Sequence, residues 1–189
     1  TGGGQRADAT DFETGTLTGV VSWNGSPVSG LGAETSNGPC VNIGLSSGTT
    51  AATNRSTGVY SFSNLAVGTY TPKFAIDCAY YNYSLGQGAT TAVTAGNTSV
   101  ANIDITATAG RVIGVITVNG VTVAYPRFPF RNQTGSGVWE YYGDSTGHFE
   151  FFLPPGTHTV PVNTSSGTFI GQLSFTVTAA QTTDLGATD

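Results

Sequence analysis

The sequence predicts an all-β chain built as two antiparallel β-sandwiches in tandem, and three observations carry that prediction. One phrase occurs twice, as STGVYSFSNLAVGTYT from residue 56 and as STGHFEFFLPPGTHT from residue 145, 89 residues apart. Within each occurrence large apolar residues alternate with small or polar ones, the period of a strand with one buried face. Nowhere does an apolar spacing of 3.6 residues run for the length of a helix.

The repeat extends beyond that phrase. LTGVVSWNG (17–25) matches VIGVITVNG (112–120), and VTAGNT (93–98) matches VTAAQT (177–182), in the same order. One domain type used twice gives an N-terminal arm at 1–14, a first sandwich at 15–108 and a second at 109–189. The 189 residues leave room for two units of roughly 90 residues, each able to bury a core.

Each element follows from its residues. The first strand carries Leu17, Val20, Val21 and Trp23 and runs into an Asn-Gly turn at 24–25, repeated at 119–120. A second strand region reads CVNIGL (40–45) in copy one and RFPFRN (127–132) in copy two. In the repeated phrase Gly58 and Gly147 stand where a tight turn wants positive φ. Tyr60 and Phe62, or Phe149 and Phe151, then alternate onto one face. Leu65 and Leu153 cap the corner, and Gly68 and Gly156 provide a second turn. Tyr70 and Phe74 resume the alternation, and VTAGNTSVANIDI (93–105) closes copy one.

Composition bounds the partners. Hydrophobic residues are 38% of the chain and charged residues 9%, far below the roughly 25% of an average domain. The net charge is −5. Arg6, Arg55, Lys73, Arg111, Arg127 and Arg131 are too few and scattered to track a phosphate backbone, so nucleic acid is excluded. No apolar run approaches the roughly 18 residues of a spanning helix. The chain opens with Thr and the small run TGGGQR, which points to a mature exported product with its targeting segment removed, with a lipid anchor left open. Cys40 and Cys78 alone read as either a disulfide or two buried thiols. The export signs favour the disulfide, which would stabilise the fold by about 4 kcal/mol.

The order strand, Asn-Gly, P-V-x-G, S-T-G-x-Y-x-F-x-x-L-x-x-G-x-Y and V-T-A-G-x-T resembles the carboxypeptidase regulatory-like, or transthyretin-like, sandwich. Copy one carries it as NGSPVSG, STGVYSFSNLAVGTYT and VTAGNT; copy two lacks the P-V element and has His158 in place of Tyr70. The resemblance implies Ig-like, prealbumin-like sandwiches used as spacers, adhesion modules or appendages of enzymes. Related adhesin sandwiches form Lys–Asn cross-links from a lysine on the first strand. The one lysine here, Lys73, follows the second turn, so that cross-link is not expected. The transthyretin-like hydrolases need a His/Arg cluster and a C-terminal tetrapeptide that TTDLGATD lacks.

Asp144, His148 and Glu150 in DSTGHFE place acid and base close together. Their counterparts in copy one, however, include Val59 and Ser61, and His148 and Glu150 alternate away from Phe149 and Phe151 towards solvent. They read as a turn and a strand edge, and His158 as a half-buried packing residue. No enzyme activity, cofactor or metal is expected. The aromatic clusters AYYNYS and VWEYYG pair Tyr81 with Tyr83 and Trp139 with Tyr141 on single strand faces, suited to packing, to protein contact or to stacking on sugars. Sequons stand at Asn24, Asn54, Asn82, Asn97, Asn132 and Asn163. The expectation is an extracellular or cell-surface structural protein that self-associates through sheet edges and the N-terminal arm. The alternative is an adhesin or glycan-binding module.

Overall fold

The computed structural model describes residues 13–28, 41–45, 50–52, 57–76, 83–131 and 138–189. Among them every regular element is a strand. In the first repeat these are β1 (Thr14–Trp23), β2 (Ser26–Pro27), β3 (Val41–Gly44), β4 (Thr50–Ala52), β5 (Val59–Ala66) and β6 (Gly68–Tyr70). They are followed by β7 (Lys73–Ile76), β8 (Tyr83–Gln87), β9 (Thr91–Val93), β10 (Thr98–Val100) and β11 (Ile103–Asp104). The second repeat holds β12 (Gly110–Val118), β13 (Val121–Thr122), β14 (Arg127–Arg131), β15 (Val138–Tyr142), β16 (His148–Leu153), β17 (Gly156–Asn163), β18 (Phe169–Val177) and β19 (Thr182–Thr188).

Each repeat sets one sheet against another. β1 is paired with β5 on one side and with β10 and β11 on the other, opposite the sheet β4-β3-β7-β8; β6 and β9 form a small ribbon. β12 is likewise flanked by β16 and β19, opposite the sheet β15-β14-β17-β18. No sheet among the described residues takes strands from both sides of residue 109.

The sheets are mixed. β1 runs parallel to β10 and β11, with Thr16 opposite Thr98 and Val21 opposite Ile103. β12 runs parallel to β19 from Arg111–Thr182 to Ile116–Thr188. The remaining pairs are antiparallel. Local turns set the direction of hairpin neighbours, but the last strand returns to the sheet from elsewhere, and its direction is set by the crossover.

The repeat persists in individual hydrogen bonds. Val21 N–H donates to Gly58 O at 3.0 Å, as Ile116 N–H does to Gly147 O at 3.1 Å. Gly96 N–H donates to Thr14 O at 2.8 Å, as Ala180 N–H does to Ala109 O at 3.0 Å. Both Asn-Gly corners have positive φ at each residue (47° and 75°, 51° and 74°), the backbone of a type I′ turn. Gly68 keeps ordinary φ; in that corner Asn64, at φ 59°, is the residue that bends left-handed. A shift in the β1–β5 register between Gly15 and Leu17 accommodates it.

The cores differ in kind. Leu17, Val21, Tyr60, Phe62, Ile43, Phe74, Leu85 and Ile103 are buried in the first repeat. In the second, Phe151 meets Phe128 at 4.8 Å, Phe149 at 4.9 Å, Tyr141 at 5.1 Å and Phe130 at 5.3 Å between ring centroids. Cys40, Cys78 and residues 1–12 of the expected arm lie outside the described residues; Glu13 O accepts the N–H of Val67 at 3.2 Å just ahead of β1.

A glycine at the start of β1 and of β12 lets a turn close over each strand. A Cβ at Gly15 would stand 2.4 Å from Thr94 O, and one at Gly110 2.4 Å from Thr178 O. Both obstacles are backbone and cannot swing aside. Gly110→Ala should therefore destabilise by about 3 kcal/mol in urea unfolding. Gly171→Ala, where a Cβ meets nothing within 4 Å, should stay within about 0.5 kcal/mol of the parent.

Candidate functional site: the junction of the two repeats

The strand β16 reads HFEFFL, and three consecutive residues at its end, Phe151, Phe152 and Leu153, are buried. Alternation points Phe151 and Leu153 into the sandwich and Phe152 out of it. Phe152 is nevertheless only 3% exposed, because Trp23 of the first repeat covers it edge-on at 5.7 Å. The Trp23 indole N–H donates to Ala109 O at 3.0 Å. Asn24 adds two bonds: its backbone N–H reaches Thr106 Oγ1 at 2.7 Å, and its Nδ2 reaches Ala180 O at 3.3 Å. The Asn-Gly corner of the first repeat thus seats on the corner at 178–181 of the second.

A groove of about 290 Å³ opens beside this seat, lined by Trp23, Asn24, Ser26, Arg111, Glu150 and Phe152 among others. Arg111 Nε–H donates to Glu150 Oε1 at 2.8 Å. Glu150 hydrogen-bonds a guanidinium, and that pairing raises the Arg111 pKa. An aromatic floor with a paired guanidinium and carboxylate at its rim can hold a flat polar molecule through stacking and hydrogen bonds.

The acid and base cluster of DSTGHFE does not converge. Asp144 Oδ1 accepts the N–H of Thr146 at 2.8 Å, its hydroxyl at 2.6 Å and the N–H of His148 at 3.1 Å. The Thr146 hydroxyl is the main cause of the lowered pKa of Asp144. Its carboxylate therefore closes a turn, while Glu150 faces Arg111. His158 Nε2 lies 2.9 Å from Pro154 O, and its ring stacks on Phe175 at 5.9 Å. The equivalent Tyr70 hydroxyl donates to Ala66 O at 2.8 Å, so the histidine keeps the tyrosine's bond. Among the described residues no group of three or more His, Cys, Asp or Glu could hold a metal ion.

Of the aromatic clusters, Tyr141 takes the packing alternative rather than that of a surface contact. It is 3% exposed, packed on Phe130 and Phe151, while Tyr142 is the outward one at 37%. Cross-strand pairing explains this, since buried Phe128 sits opposite Tyr141 and draws it inward. Tyr81 and the side chains of Tyr83 and Trp139 lie outside the described residues, as do Asn54, Asn82 and Asn132. Asn24 and Asn97 are exposed at corners, with Asn97 Nδ2 donating to Ala95 O at 2.9 Å; Asn163 is half-buried at the end of β17. Lys73 is exposed on β7, away from β1.

Outward-facing Tyr142 belongs to a second polar cluster. Arg127 donates to Glu140 Oε2 at 2.6 Å, the Tyr142 hydroxyl to the same oxygen at 2.7 Å, and the guanidinium lies 5.5 Å from the Tyr142 ring centre. Burial pushes Glu140 up, but the bonds from Arg127 and Tyr142 outweigh it and hold its pKa below the usual value.

No family model and no curated protein sequence matches the chain. Among solved structures, the Bacillus anthracis TIE protein is 16% identical with a TM-score of 0.37, over 92% of this chain and 33% of that one. GBS52, the minor pilin of Streptococcus agalactiae, is 17% identical with a TM-score of 0.33, covering 91% and 94%. A DUF3823 family protein from Parabacteroides merdae is 11% identical with a TM-score of 0.37, covering 89% and 99%. The chain spans a third of the length of the first of these.

Phe152→Ser, which installs a small polar residue like Ser63 of the first repeat, should cost about 3–5 kcal/mol in urea unfolding and shift the Trp23 fluorescence to the red. For Glu140 the folded pKa lies below the unfolded one, so its contribution is present above the ordinary carboxylate range near about 4.3 and fades as pH falls through the folded value. Glu140→Gln should lose about 1 kcal/mol at pH 7, and the gap to the parent in thermal melts should narrow below about pH 4.

Proposed function

We propose that this chain is a non-enzymatic structural protein of the cell exterior. Its two sandwiches, 15–108 and 109–189, stack in series as a building block that joins copies of itself through sheet edges and the arm at 1–14. One observation carries the reading: large exposed apolar side chains stand on strands at sheet edges. Val100 on β10 is 60% exposed and Phe169 on β18 is 63% exposed. Monomeric proteins guard such edges with charge, proline or cover, and this surface is poor in charge. An edge left apolar invites another strand.

The junction supports the same reading, because Trp23 on Phe152 ties the two repeats together by packing and hydrogen bonds. The groove beside it favours a second reading, an adhesin or glycan-binding module in which Trp23 and the Arg111–Glu150 pair meet a sugar ring. A glycan array with Trp23→Ala as control separates the two.

Light scattering and electron microscopy of the purified chain test the leading proposal. Oligomers or filaments are expected, dissolving in Val100→Lys and Phe169→Lys variants and shortening when residues 1–14 are removed. A monomer at high concentration, indifferent to all three changes, would overturn it.

A further inference from the structure

Because the first and last strands of each repeat run parallel, the chain comes in at one end of each sandwich and leaves at the other. In the first repeat the ladder between these strands runs in two stretches, along β10 and then along β11. Thr16 N–H donates to Asn97 O at 2.9 Å, Ala101 N–H to Thr18 O at 2.9 Å and Ile105 N–H to Ser22 O at 2.9 Å. Between β10 and β11, where a backbone partner is missing, Asn102 Oδ1 accepts the N–H of Val20 at 3.0 Å. In the second repeat Arg111 N–H opens the ladder on Gln181 O at 3.0 Å, and the pairing continues to Ile116–Thr188. Past its end, Thr117 Oγ1 donates to Thr188 O at 3.3 Å and Gly120 N–H to Asp189 Oδ1 at 3.2 Å. The two ladders are joined through the seated corner, where Trp23 and Asn24 hold Ala109 and Ala180.

From this geometry we infer that the chain is a tension-bearing element, with one shear clamp in each repeat and the two clamps in series. Pulling between residue 13 and residue 189 drags β1 and β11 in opposite directions along their common axis. It does the same to β12 and β19. All bonds of a ladder are then loaded at once, and none can give way before its neighbours share the force. Were the last strand antiparallel to the first, both ends would leave from one pole and the bonds would open one at a time. Forced unfolding follows the barrier set by the loaded contacts rather than overall stability, so direction of pull is what this arrangement selects. The inference concerns a single chain and stands apart from self-assembly.

Single-molecule force spectroscopy on the full chain tests it in two pulling geometries. In the first, handles are attached at the two chain ends. In the second, one handle stays at the C-terminus and the other is an azide-bearing residue at position 121, where Val121 is 69% exposed. That second pair holds β12 and β19 at the same pole and peels them apart. At equal pulling speed, both end-to-end ruptures are expected to need at least double the force of the peeling rupture. Equal forces in the two geometries, or a lower end-to-end force, would overturn the inference, whatever the chain's oligomeric state in solution.

Discussion

The strand that opens each repeat is hydrogen-bonded along both of its edges, and the rest of each sandwich is arranged around that double pairing. On one side lies the strand of the repeated phrase, antiparallel; on the other lies the closing strand, parallel. A central strand paired on both sides leaves no room for a side chain where a turn crosses it. Gly15 and Gly110 answer that demand at equivalent places. Gly19 answers a related one: it leaves a gap through which the Tyr60 hydroxyl reaches Ala101 O. Burial pushes that tyrosine up to about 12, so it remains a donor at any physiological pH. In the second repeat Phe149 occupies the same place over Gly114 without a hydroxyl.

Much of this was legible in the residues because it is local. Asn24-Gly25 and Asn119-Gly120 state their turn type by composition alone, and both adopt it. Tyr60 and Phe62, like Phe149 and Phe151, declare an inward face through alternation, and all are buried. What was not legible depends on partners distant in the chain. The direction of β10, β11 and β19 is set by a crossover, which leaves no mark on their own residues. Choosing between Tyr141 and Tyr142 as the outward ring required knowing that Phe128 lies opposite Tyr141. Asn64 bends left-handed where copy one carries one more residue in that corner.

The junction did leave a signal. Three apolar residues in succession, Phe151, Phe152 and Leu153, break the alternation of a strand with one wet face. Such a run means that both faces are covered, and Trp23 provides the second cover. The DSTGHFE cluster teaches the converse. Its carboxylates are engaged by nearer groups, Asp144 by its own turn and Glu150 by Arg111, so closeness in sequence brought no convergence in space. What the two repeats build together is a packed seat with a groove at its side.

Tandem copies of one domain carry a hazard during synthesis: a strand from one copy can complete the other. The two cores differ in a way that opposes this exchange. The first repeat fills its interior largely with Leu, Ile and Val around Tyr60, Phe62 and Phe74, whereas the second surrounds Phe151 with four further rings. A β5 segment placed in the second sandwich would bring Tyr60 to the place of Phe149, beside Phe128, and take its hydroxyl from the Ala101 carbonyl. A β16 segment placed in the first would leave that carbonyl without its donor and would carry Phe152 outward where Ser63 stands exposed. Divergence of the interiors, under a shared frame of turns and glycines, makes each strand a poorer fit to the other half than to its own.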